Sequence, residues 1–300
     1  MADVAAKNPI ETREGLLHLA RLTMRTRDYR SMFDYTKKLI QMVMPTEDLT
    51  EDERDCFSSA CKFFIDGHLN TWRHLDSVVF DSSAKCSRRE SAREYQGLIA
   101  DEIREICKDI LELIDRSLSF SGKEDVAKKM TTETRVFYMM MKGDCLGYAA
   151  MVTKGPGRVN AEVAAIEAYN AAMEEASKLP ELNQTRLKLA LNFGTFHADL
   201  CQAFSLGCTV AKEALDKAKQ AMAISEDQVS SDASGLLEEL RNKNDIWMAR
   251  IAAEPEQENK ACRRLSATEP PFKGSVKLNQ APLKTFELFG EWQVICPSGD

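Results

Sequence analysis

No stretch of this 300-residue chain approaches eighteen consecutive apolar residues, so the sequence predicts no membrane span. The opening MADVAAKNPIETRE lacks the apolar centre of a signal segment. Nine cysteines are scattered without one CxxC pair, which speaks against a disulfide framework and for thiols kept reduced. These absences point to the cytoplasm, where the Asn183-Gln184-Thr185 sequon is accidental. Histidine is scarce: His18, His68, His74 and His197 are isolated. His68 and His74 lie six apart, a spacing that does not put both on one helical face for a metal. HExxH, Walker and GxSxG patterns are all missing. No enzyme chemistry, cofactor or metal is therefore expected. Positive charge is also short. Lys and Arg number 40 against 47 Asp and Glu, a net charge of -7, which disfavours nucleic acid or anionic membrane as partner. No 34-residue self-similarity supports a tetratricopeptide array.

What the chain does have is helical period. At 44% hydrophobic it can bury a sizeable core in one or two domains. The spacing predicts helices from about residue 10 to 252. In Glu94–Arg116 the apolar residues Tyr95, Leu98, Ile99, Ile103, Ile106, Cys107, Ile110, Leu111 and Ile114 make one face of a long helix. Thr50 and Glu53 form a T-x-x-E capping box. Ser119–Gly122, Lys154–Gly157 and Pro180 act as breakers, and counting segments gives about nine antiparallel helices with no convincing strand before residue 280. After Ala253 the character changes: residues 254–300 hold five of the nine prolines and little helical period. Residues 1–253 are the expected helical domain and 254–300 a tail, partly disordered or docked. Its end, with Phe286, Phe289 and Trp292, alternates apolar residues and suits docking in extended form.

Two stretches carry more than period. Arg135–Val152 reads RVFYMMMKGDCLGYAAMV, with Val136, Phe137, Met140, Met141, Leu146, Ala149 and Ala150 on an apolar stripe; Arg186–Leu200 reads RLKLALNFGTFHADL. With Ala92–Asp115 and Glu239–Arg250 they strongly resemble the signature helices of the 14-3-3 proteins, over roughly residues 15 to 250. The resemblance implies an all-α, nine-helix antiparallel bundle with an amphipathic groove, paired as a dimer. It implies a non-catalytic adaptor for phosphoserine and phosphothreonine peptides. Lys62 matches the family's phosphate-binding lysine, Tyr148 its tyrosine, and Asn192 the asparagine that holds ligand backbone; Asp199 (a glutamate in the family) and Trp247 also fit.

The departures are as specific. Leu69 and Gly147 stand at the two phosphate-gripping arginines, Lys243 at a second backbone-binding asparagine, and Glu239 on a normally apolar groove wall. An arginine fork meets phosphate with two hydrogen bonds. A hydrogen bond to a charged group contributes roughly 1.5–3 kcal/mol, so losing both forks weakens phosphate binding by about 10²–10⁴. His68, Arg73 and Lys243 are the basic residues that could compensate. On the implied dimer face Asp28 replaces an arginine that pairs with a glutamate, here Glu102, and Leu98 replaces a charged residue, so weaker or heterotypic pairing is expected.

The tail offers a ligand. In RRLSATEP, Arg263–Pro270, phosphate on Thr268 would have Arg264 four residues before it and Pro270 two after, as in one of the family's main ligand registers. Ser266 follows Arg263 and Arg264 in the pattern basophilic kinases read, and Ser298 resembles the family's C-terminal ligand mode. A tethered tail competes at an effective concentration on the order of millimolar. The expectation is an adaptor with a degenerate phosphate pocket, bound to phosphorylated proteins or to its own tail, as a homo- or heterodimer. The alternative is a phosphate-independent scaffold.

Overall fold

Short polar side chains start the helices. Thr12, Asp28, Thr50, Asn183 and Ser230 each accept a backbone N–H three residues on, at 3.0 to 3.3 Å, satisfying donors that a helix start leaves without partners. Behind them run α1 (Arg13–Arg25), α2 (Tyr29–Val43), α3 (Glu51–Phe80), α7 (Gln184–Thr195) and α9 (Ser231–Ala253). The others are α4 (Cys86–Phe120), α5 (Thr132–Val152), α6 (Pro156–Ala176) and α8 (Phe204–Ile224). The computed structural model describes residues 12–44, 47–120, 130–224 and 230–255, with Glu258 and Leu265. Among these the fold is all-α, with nine helices and no strand.

The Thr50–Glu53 capping box closes in both directions, Glu53 Oε2 taking the Thr50 N–H at 2.8 Å. Two breakers act a little away from their expected places. Helix α4 runs through Ser119 to Phe120, and α6 already begins at Pro156 after Gly155 turns the chain at φ 66°. Proline at the first helical position costs nothing, because its missing N–H would have no partner there.

By packing, the described residues up to Thr134 form one unit and those from Arg135 another. In the first, α1 lies on α2 and α3 on α4, around Phe33, Ile40, Phe57, Ile65, Leu69, Ile103 and Ile110. The buried line of α4 passes Ala92, Gln96, Ile99 and Ile103. Tyr95 and Leu98, expected on that line, are 50% and 60% exposed. The displacement comes from Gln96, a polar residue held inside by Asp76 at 2.9 Å and so invisible to apolar spacing. In the second unit α7, α8 and α9 pack around Leu187, Leu191, Phe204, Leu237, Leu240 and Trp247. Helix α8 approaches α7 so closely that a Cβ on Gly207 would lie 2.7 Å from the Gly194 carbonyl oxygen. A side chain there is excluded by backbone.

Past α9 the chain stays on the second unit for at least part of its course. The Glu258 N–H reaches the Glu254 carbonyl at 3.2 Å, and Glu258 and Leu265 are both buried. Ser266, Thr268, Ser298 and the aromatic segment 286–292 lie outside the described residues.

Candidate functional site

Asn192 sits in α7 in an otherwise apolar run. Its Nδ2 donates to both carboxylate oxygens of Asp144, at 3.2 and 3.1 Å. Tyr169 Oη donates to the same carboxylate at 2.6 Å. The three are brought together by a glycine: a Cβ on Gly143 would press within 2.9 Å of the Tyr169 ring, so only glycine lets α5 and α6 come close enough. Burial lifts the Asp144 carboxyl to about 7 despite the two donors that favour its charge. Burial and the neighbouring Asp144 likewise raise the Tyr169 phenol, which stays protonated and donates. With its nitrogen turned to Asp144, Asn192 has its amide oxygen as the atom suited to a ligand backbone N–H. Tyr148, one turn beyond Asp144 in α5, is buried, and so is Gly147 before it.

A second group lies on the turn after α7. Residues Phe196–Leu200 form one π-helical turn that closes α7, a widened turn that changes side-chain direction from that of the helix before it. It carries Asp199 outward. Asp199 Oδ1 accepts the Trp247 indole N–H at 3.0 Å and Oδ2 takes Lys243 Nζ at 3.1 Å. The Trp247 ring is 1% exposed, so its body packs the core while its one polar atom holds Asp199. Lys243 of α9, standing for an asparagine, is thus paired with the carboxylate of the π-helical turn. His197, in the same turn, is buried against Phe193 at a ring separation of 4.4 Å, and burial pushes its imidazole down to about 4.

In the first unit, α3 presents Lys62 and Leu69, both buried. Lys62 Nζ lies 5.5 Å from the centre of the Phe63 ring. Leu69 is 0% exposed: the position holds core, not a displaced surface residue. His68 is engaged with the Phe64 carbonyl at 2.9 Å and approaches Glu102 at 3.5 Å. Arg73 donates to Asn70 at 2.9 Å. Asp28 has a local reason to be acidic, since it caps α2.

Sequence reasoning did not single out Asp144, the partner of Asn192 and Tyr169, or Asp66, half-buried on α3 beside Lys62. An ionisable residue inside an apolar helical stripe was the available signal for Asp144, and a carboxylate four residues after Lys62 the signal for Asp66. Among the described residues no cluster of ligating side chains could hold a metal, and no helix is long and apolar enough to cross a membrane.

The 14-3-3 protein family model matches residues 19–248. The 14-3-3-like protein GF14-E of Oryza sativa is 30% identical over 252 residues, 83% of this chain and 93% of that protein. Checkpoint signal transducer rad25 of Schizosaccharomyces pombe is 29% identical, covering 79% of this chain and 85% of its own. The 14-3-3 protein beta/alpha-A of Xenopus laevis is 28% identical, covering 77% and 91%. With the family model spanning residues 19–248 and nine helices among the described residues, this protein belongs to the 14-3-3 family of non-catalytic adaptors, which generally bind phosphopeptides.

Proposed function

We propose that the chain binds phosphoserine and phosphothreonine peptides with a degenerate set of phosphate contacts, using Lys62 of the first unit and Tyr148, Asn192, Asp199 and Trp247 of the second. The observation that carries the reading is the Asp144–Asn192 pair: a buried carboxylate orients the amide a ligand backbone needs. Asp199, held by Trp247, supports it from the next turn. Leu69 and Gly147 supply no charge, so affinity falls by the roughly 10²–10⁴ of two lost arginine forks.

The tail is one ligand of this groove once Thr268 is phosphorylated, with Ser266 and Ser298 as further modification sites. From Glu258, held at the start of α8, to Thr268 is 10 residues, at most about 35 Å extended. Clients are phosphorylated proteins of the cytoplasm; the buried cysteines are free thiols, which fits a reducing compartment. The chain dimerises, with itself or a relative. Exposed Leu22 and Met24 on α1, and Tyr95 and Leu98 on α4, give apolar surface for it.

The test is a fluorescence-polarisation titration with one peptide in phosphorylated and unphosphorylated form. The expected result is weak binding, tighter for the phosphorylated form and abolished by Lys62→Glu. Equal affinity for both forms would favour the phosphate-independent scaffold instead.

A further inference from the structure

Lys62, Asp66, Leu69 and Arg73 follow one another along α3 at steps of four, three and four. That spacing stacks them on one face of the helix. Lys62 and Leu69 are buried and Asp66 is half-buried. Lys62 and Arg73 are the two cations whose charge acts on the Asp66 carboxylate, and Asp66 acts back on Arg73. The face that should present cations to a ligand therefore carries an anion between them. Burial raises the Asp66 carboxyl to about 6, which still leaves it largely ionised at neutral pH. His68, one turn from Phe64, faces that residue's carbonyl at 2.9 Å and Glu102 at 3.5 Å.

We propose that Asp66 is a specificity-determining residue, a built-in counter-charge that lets the pocket take a singly charged anchor side chain as readily as a phosphate dianion. The inference rests on the reading of Lys62 as the retained anchor of the peptide groove. A fixed carboxylate beside Lys62 repels an incoming dianion twice as strongly as a monoanion, while part of the attraction of Lys62 and Arg73 is already spent on it. At the effective dielectric of a half-buried site, one like charge a few ångströms away changes affinity by about tenfold or more. The loss of the two arginines removes attraction; Asp66 adds repulsion, and the two act independently on the same ligand.

Three peptides test this, each with the tail sequence RRLSATEPPF and differing only at the Thr268 position: threonine, glutamate and phosphothreonine. They are titrated by fluorescence polarisation into the full-length unphosphorylated chain and its Asp66→Asn and Asp66→Glu variants. Circular dichroism melts establish that each variant is folded. In the unaltered chain the glutamate and phosphothreonine peptides should bind within about threefold of each other, both tighter than threonine. Asp66→Asn should tighten the phosphothreonine peptide about tenfold while moving the threonine peptide less than about twofold. Asp66→Glu, which keeps the charge, should preserve the original ranking. An Asp66→Asn affinity for phosphothreonine equal to or weaker than the original would overturn the inference, even with phosphopeptide binding intact. If the unaltered chain ignores phosphate and Asp66→Asn acquires the preference, the inference holds and the phosphate-dependent reading of the native pocket fails. Binding of none of the peptides by either protein sinks both.

Discussion

Replacing Glu258 by alanine removes the cap of α8 from a residue 54 positions away. The Phe204 and Ser205 backbone N–H groups donate to its two carboxylate oxygens at 2.8 and 2.9 Å, and the Ser205 hydroxyl adds a third bond. Phe204 and Ser205 are the first two residues of the helix, where donors lack partners and the helix dipole favours an anion. Glu258 is 7% exposed, so solvent screens the contact little. A cap contributes about 0.5–2 kcal/mol and a hydrogen bond to a charged group roughly 1.5–3. The bonds share one side chain and are not additive, and water re-solvates part of the freed helix end. The net loss should be about 2–3 kcal/mol. In urea, with a slope of about 2–3 kcal/mol/M, the midpoint should fall by about 1 M. Glu258→Gln keeps an acceptor without the charge and should lose roughly half as much. A fragment ending at residue 253 lacks the cap altogether and should unfold earlier than one ending at 265. If Glu258→Ala leaves the urea midpoint in place, the docking of the segment after α9 is wrong.

Three further outcomes follow from the same geometry. Leu69→Arg with Gly147→Arg should tighten phosphopeptide binding by tenfold or more in polarisation titrations. It should also lower the melting temperature, because Leu69 is 0% exposed and a charge placed there is desolvated. Asp144→Ala should weaken phosphorylated and unphosphorylated peptides alike by several-fold and reduce stability by about 2–4 kcal/mol, since it strips partners from buried Tyr169 and from Asn192. His197 makes the fold acid-sensitive. Its imidazole accepts a proton near 4 when folded and near 6.5 when unfolded. Between these values the unfolded chain binds more protons, so the histidine's contribution is lost as pH falls through that window, up to about 3 kcal/mol. The raised Asp66 and Asp144 carboxyls act in the opposite sense, holding protons in the folded state and favouring it as pH falls from about 6 or 7. Denaturation of His197→Phe beside the unaltered chain isolates the first effect: the variant should gain relative stability between pH 7 and 4.

Helices were legible where a short polar residue met an apolar stripe, as at Thr50–Glu53, while the caps at Thr12, Asn183 and Ser230 were not singled out. The course of α4 was less so, because Gln96 occupies the buried line that apolar spacing assigns to Tyr95 and Leu98. Lys62, Tyr148 and Asn192 became candidate site positions through the family resemblance alone. Their partners did not. Asp144 meets Asn192 across 48 residues, and Glu258 meets α8 across 54, distances over which composition and period carry no information. Asp28, which set against a family arginine reads as a lost ion pair, has a further local role that the comparison does not reveal: its carboxylate caps α2.

The central claim, weak recognition of phosphopeptides by a groove oriented through Asp144 and Asp199, is most directly tested by a residue-resolved titration. In nitrogen–proton NMR spectra of the labelled full-length chain, the Asn192 side-chain amide and the Trp247 indole N–H report those two groups. A phosphorylated peptide should shift both signals, with fast exchange typical of weak binding, and at lower concentration than its unphosphorylated twin. Lys62→Glu should remove that difference. Signals at Asn192 and Trp247 that stay fixed at saturating phosphopeptide, or that move equally for both peptides, would contradict the account.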